Sequence, residues 1–167
     1  DGVIDEFEHV FEVLSKYEKT ITIFGSARQP QDDHVTTSAY ELAARFAKEG
    51  YAVVTGGGHG VMEAANRGAY DAGGDSIGFN ILLPHEQSLN DYTTENFQFE
   101  HFFGRKVSMT LDASGYIFFP GGFGTFDELY EILALQQTMK IPRIPIVLFN
   151  SEFWGPIHEH IHMHLLK

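Results

Sequence analysis

Apolar residues recur along this chain with two alternating periods. Val3, Phe7, Val10, Leu14 and Tyr17 make a helical stripe over residues 3–17. Thr20-Ile21-Thr22-Ile23-Phe24 then reads as a strand ending at Gly25-Ser26. A helix is predicted over 36–49, with Leu42, Ala43, Phe46 and Ala47 inward and Gly50 as its stop. Tyr51–Thr55 is a buried strand that runs into Gly56-Gly57-Gly58, and a helix follows over 61–72. Strands are expected at 76–79, near 97–99, at 115–119 and at 144–149. Helices are expected around Arg105-Lys106, over 124–139 and from Phe153 onward. Residues 80–95 are polar, carry Pro84 and read as a loop over a site.

Short, continuously apolar strands alternating with helices are the mark of a parallel sheet covered on both faces. The expected fold is α/β: a doubly wound, mainly parallel sheet with helices on both faces, Rossmann-like. Residues 1–19 form an N-terminal helix and 20–167 a single nucleotide-binding domain. Ligands in such sheets bind beyond the carboxyl ends of the strands, which is where Gly25-Ser26, Gly56–Gly58 and Pro120–Thr125 fall. The 124–139 helix is apolar on more than one side (Phe126, Leu129, Tyr130, Ile132, Leu133, Leu135), so a second buried surface and a homodimer are expected.

Composition narrows the partners. Eleven Lys plus Arg stand against 23 Asp plus Glu, a net charge of −12, so no basic face for nucleic acid is expected. Without cysteine there are no disulfides or thiolate metal sites, which fits a cytoplasmic protein. No stretch is long and apolar enough to span a membrane, and no signal peptide is visible.

The densest chemical signal is Pro120-Gly121-Gly122-Phe123-Gly124-Thr125-Phe126-Asp127-Glu128, between an apolar strand and a helix. Glycines there let backbone approach a ligand, and the helix start offers free N–H groups and partial positive charge to a phosphate. Glu128 places a carboxylate beside that cradle. Gly56-Gly57-Gly58-His59-Gly60-Val61-Met62-Glu63 is a second such turn. It lacks the Gly-Lys-Ser/Thr ending of an ATP-binding loop and the acidic residue of a dinucleotide fingerprint. Scarce cations direct attention to Arg105, with Lys106 beside it. His158/His162 and His160/His164 have the i,i+4 spacing of zinc ligands but no companion carboxylate motif, so no metal is expected.

Together these residues resemble the "lysine decarboxylase-like" Rossmann group, whose characterised members are cytokinin riboside 5′-monophosphate phosphoribohydrolases, the LOG family. The resemblance rests on Gly56–Met62 and Pro120–Glu128, with Phe24–Arg28, Glu63–Gly68, Pro84–Gln87 and Phe102-Phe103-x-Arg105-Lys106, and covers about residues 20–157. It implies cleavage of the N-glycosidic bond of a nucleoside 5′-monophosphate without a cofactor. It makes Glu128 and Arg105 catalytic, and Gly121, Gly122, Gly124 and Thr125 the phosphate holders. Gly57, Gly58 and Met62 would shape the nucleotide pocket. Ser26, Lys106, Arg28, Glu63 and Glu86 are further candidates, the two acidic ones as loop supports. General nucleotide salvage and a molybdenum-cofactor carrier are the alternatives within the same fold. Gly104 stands where family members carry a larger residue, so the local helix geometry is expected to differ, and the C-terminal end looks short for the family.

Overall fold

The computed structural model describes residues 2–82 and 88–166. The predicted loop segment Pro84–Gln87, and with it Glu86, lies outside the described residues. The order is α1 (Gly2–Leu14), β1 (Thr20–Phe24), α2 (His34–Lys48), β2 (Ala52–Thr55), α3 (Val61–Asp71), β3 (Ser76–Ile81), β4 (Glu95–Phe99), α4 (Phe102–Thr110), β5 (Ala113–Phe118), α5 (Phe123–Gln137), β6 (Ile146–Leu148) and α6 (Ser151–His160). A π-helical segment, Ile161–Leu165, continues α6.

The six strands form one parallel sheet in the order β4-β3-β2-β1-β5-β6. Strand alternation divides the core. Ile21, Ile23, Val53, Ile117 and Phe119 pack with α2 and α3 on one face. Phe24, Val54, Phe79, Tyr116 and Phe118 pack with Val10 and Leu14 of α1, Met109 of α4, Leu129 and Ile132 of α5 and Trp154 of α6 on the other. The sheet is therefore doubly wound, as expected from the apolar strands. The chain leaves β1 toward β2 and β3, then returns through α4 to place β5 on the other side of β1. That reversal leaves a crevice beyond the carboxyl ends of β1 and β5. β1 and β5 run in register there, Thr22 beside Tyr116 and Phe24 beside Phe118.

The all-round apolarity of α5 is partly satisfied within the chain. Leu129 and Ile132 are buried against the sheet. Phe126 lies 5.1 Å from Trp154 and 6.1 Å from Phe153, ring centre to ring centre, so α6 covers a second side. Phe123 and Tyr130 remain exposed. No helix among the described residues is long and apolar enough to cross a membrane.

Candidate functional site

Three strand-to-helix turns interlock at the crevice. The Ser26 N–H donates to Pro120 O at 3.1 Å, joining the ends of β1 and β5, and the Val61 N–H donates to Ser26 O at 2.9 Å, joining β1 to α3. Gly60 has φ of +64°, and a Cβ there would sit 2.1 Å from Ser26 O, so only glycine fits on both counts. At Gly121 a Cβ would lie 2.1 Å from Thr125 Oγ1 and 3.0 Å from Ser26 N. Gly121 thus lets the turn close onto α5.

These turns border a cavity of about 510 Å³, within the range of small-molecule sites. Gly25–Arg28 form one wall, and Gly122, Gly124, Thr125 and Glu128 another. Gly56, Met62 and Arg105 close the floor, while Phe102, Phe123, Met109 and Ile81 add apolar surface. Gly122 caps α5 without a side-chain hydrogen bond. The first-turn N–H groups, which have no acceptor inside the helix, are thereby left for a ligand.

Arg105 and Glu128 approach the cavity from α4 and α5. Arg105 Nε donates to Phe79 O at 2.9 Å, which lays the guanidinium across Gly56. A Cβ on Gly56 would lie 2.2 Å from Arg105 Nη2. Burial lowers the Arg105 pKa, while the nearby Glu128 carboxylate opposes the shift. Glu128 is only 7% exposed, and its Oε2 has no hydrogen-bond partner among the described residues. Burial pushes its carboxyl up to about 7; Lys106 and Arg105 pull it down, and Glu131 and Asp127 push it further up. A buried, unpaired carboxylate oxygen is costly. Here it faces a cavity wall beside a cation, which is the arrangement of a group waiting for a partner.

Lys106 does a different job. Its Nζ sits 2.7 Å from Asp127 and 2.8 Å from Glu131. These two partners hold its pKa above that of a free lysine, against the effect of burial. Schiff-base chemistry needs the opposite, a lysine whose charge is easily lost. Asp127, Glu128 and Glu131 could together hold a cation, their carboxylate oxygens lying within 4.8 Å of one another, but the Lys106 ammonium already provides that charge.

The structure distributes the remaining sequence candidates as follows. Ser26, Arg28, Met62, Gly122, Gly124 and Thr125 line the cavity with Arg105 and Glu128. Gly57 and Gly58 lie behind it: Gly57 (φ +72°) packs on Gly78 and Leu89, and Gly58 O accepts from Asn90 Nδ2 at 2.9 Å. Glu63 reaches His59 at 3.4 Å, and His59 Nε2 lies 2.9 Å from Ser88 Oγ, so Glu63 braces a loop. His158 stacks on His162 at 6.2 Å, and His160 lies 5.0 Å from His164. Among the described residues no third metal-ligating side chain joins either pair. Sequence reasoning placed Gly56 at the ligand end of β2 but missed that it makes room for Arg105. Its position directly after β2 was the available signal. It also missed that Phe102 and Phe123, both inside the quoted motifs, form an apolar rim.

The fold and site define a family. The family described as "Possible lysine decarboxylase" matches residues 62–167, more than half the chain, and the chain belongs to it. Among curated relatives, the probable cytokinin riboside 5′-monophosphate phosphoribohydrolase LOG4 of Oryza sativa subsp. japonica is 30% identical over 137 residues, 80% of this chain and 59% of its own length. The cytokinin riboside 5′-monophosphate phosphoribohydrolase LOG of the same species is 29% identical over 156 residues, 89% of this chain and 62% of its own. The chain thus spans about three fifths of the length of these relatives. Among solved structures, the molybdenum cofactor binding protein of Rippkaea orientalis is 25% identical with a TM-score of 0.62, over 85% of this chain and 84% of its own.

Proposed function

We propose that this protein hydrolyses the N-glycosidic bond of a nucleoside 5′-monophosphate, releasing the free base and ribose 5-phosphate. The observation that carries this reading is the buried Glu128 carboxylate, with one oxygen unpaired, beside Arg105 and the start of α5. The 5′-phosphate binds at the first turn of α5, where backbone N–H groups and the Thr125 hydroxyl converge. The ribose then lies against Glu128. Bond cleavage builds positive charge on the sugar ring, as in glycoside hydrolysis, and the ionised carboxylate stabilises it while orienting the attacking water. The bond from the anomeric carbon to the base nitrogen breaks, and water supplies the new C–O bond and the proton the base takes. Arg105 holds the substrate and the electron-rich departing base.

The relatives' named substrate class supports a cytokinin nucleotide, and so does the apolar rim. An N6-prenyl group that buries itself against Phe102, Met109 and Phe123 gains about 0.8 kcal/mol per CH₂. The second reading, a binding protein, draws on the likeness to the molybdenum cofactor binding protein. One experiment separates them. The protein is incubated with AMP, GMP, CMP, UMP and N6-isopentenyl-AMP, and base and ribose 5-phosphate are quantified by chromatography. Release from the prenylated nucleotide well above AMP supports cytokinin activation, and release from several supports salvage. No release from any nucleotide by folded protein defeats the hydrolase reading and favours binding.

A further inference from the structure

Helix α4 begins without a cap of its own. Its N-cap residue, His101, makes no side-chain capping bond. A carboxylate from another helix braces the two residues just before α4 instead. Glu6 of α1 is 7% exposed, which is rare for an isolated Glu. Its Oε1 accepts the Glu100 N–H at 2.8 Å and lies 3.3 Å from His101 Nδ1. Its Oε2 is buried with no hydrogen-bond partner among the described residues. A Cβ on Gly104 would lie 2.8 Å from that Oε2. The glycine before Arg105 is therefore the space that the Glu6 carboxylate fills. Phe7, next in α1, packs edge-on against Phe103 at 6.1 Å.

We propose that Glu6 is a positioning residue that braces the start of α4 from α1 and so sets Arg105 in the cavity wall. A negative group at a helix start is favoured by the helix's partial positive charge, and the bond to Glu100 N–H fixes the chain as it enters α4. The turn it steadies holds Phe102 and Arg105, and both line the cavity. The consequence for turnover rests on the hydrolase reading; the bracing itself does not.

The test uses Glu6→Ala, Glu6→Gln and Gly104→Ala, each with amide hydrogen exchange and nucleotide kinetics. In Glu6→Ala, exchange in 102–108 should accelerate about tenfold, the scale of a lost charge-assisted hydrogen bond, while β1 and α3 keep wild-type protection. The kcat/KM for the best nucleotide should fall by about tenfold or more through misplacement of Arg105. Glu6→Gln, which keeps an acceptor but not the charge, should fall between the two. Gly104→Ala should reproduce the Glu6→Ala loss by expelling the carboxylate, and the double variant should be no worse than Glu6→Ala. Unchanged α4 exchange in these variants overturns the proposal, as does faster exchange with wild-type turnover. If wild-type protein releases no base from any nucleotide, the hydrolase reading fails, and the exchange data still decide whether Glu6 steadies α4.

Discussion

At the scale of single residues, Glu128 sets fold stability against function. Its carboxyl is held up to about 7, from an ordinary 4.5, chiefly by burial. Below about pH 4.5 it is protonated in both folded and unfolded chains and costs nothing. As pH rises toward 7 the unfolded chain releases the proton while the folded one keeps it, so stability falls. Above 7 the penalty is complete, on the order of 3 kcal/mol. Glu128→Gln should therefore melt at higher temperature than wild type at pH 8 and at nearly the same temperature at pH 4.5, as calorimetry at both values would show. The same variant should lose roughly 10²–10⁴ in rate. The wild-type kcat/KM should climb with a midpoint near 7 as the carboxylate forms. A folded Glu128→Gln protein that turns over normally removes Glu128 from the reaction. Gly56→Ala probes the neighbouring group. Its Cβ would meet Arg105 Nη2 at 2.2 Å and Met62 Sδ at 2.9 Å, so the guanidinium must leave its bond to Phe79 O. A drop in kcat/KM of about 10–100-fold is expected, with the melting temperature nearly kept because flexible side-chain ends can yield. Steady-state kinetics beside a thermal melt check both halves.

At the scale of elements, the two helices on the site's far side depend on small residues. Ala64, Ala65, Gly68 and Ala69 let α3 lie close against α2, and a Cβ on Gly68 would stand 2.1 Å from Tyr40 O. Backbone cannot step aside as a side-chain tip can. Gly68→Ala should cost about 1–3 kcal/mol by overpacking despite the better helix propensity of alanine, measurable by urea unfolding. A neutral or stabilising result would mean that the helices separate more easily than this contact implies. The strands and helices were legible because apolar runs of four to six residues and helical stripes mark them directly, and β1 and β5 carry their turn glycines at their ends. What was not legible depended on contacts distant in sequence. The partner of Gly104 is Glu6, and the glycine that matters to Arg105 is Gly56, the first of a motif in which only the next two glycines were given a role. A glycine's neighbour in space leaves no trace in its local pattern. The buried network in which Thr55 Oγ1 donates to Asn66 Oδ1 at 2.5 Å, and Asn90 Nδ2 to the same oxygen at 3.0 Å, was hidden for the same reason.

At the scale of the whole molecule, a net charge of −12 surrounds the cavity proposed to take an anion. The far field repels a nucleotide, while Arg28, Arg105 and the start of α5 attract it locally. Salt separates the two ranges. At 0.01 M ionic strength the screening length is about 30 Å, so the repulsion of the entire surface is felt; near 0.15 M it is about 8 Å, and only charges beside the cavity still act. The kcat/KM for a nucleoside monophosphate should therefore rise between these salt concentrations, then fall toward 1 M, where a screening length of about 3 Å weakens the local attraction too. A protein whose substrate were neutral would show neither limb. A steady decline from the lowest salt upward would mean that the cavity's own cations outweigh the acidic surface even at long range. Charge-neutralising substitutions at exposed carboxylates far from the cavity, such as Glu12 and Glu49, distinguish these cases: they should raise kcat/KM at low salt and leave it unchanged at 0.15 M if the repulsion is global.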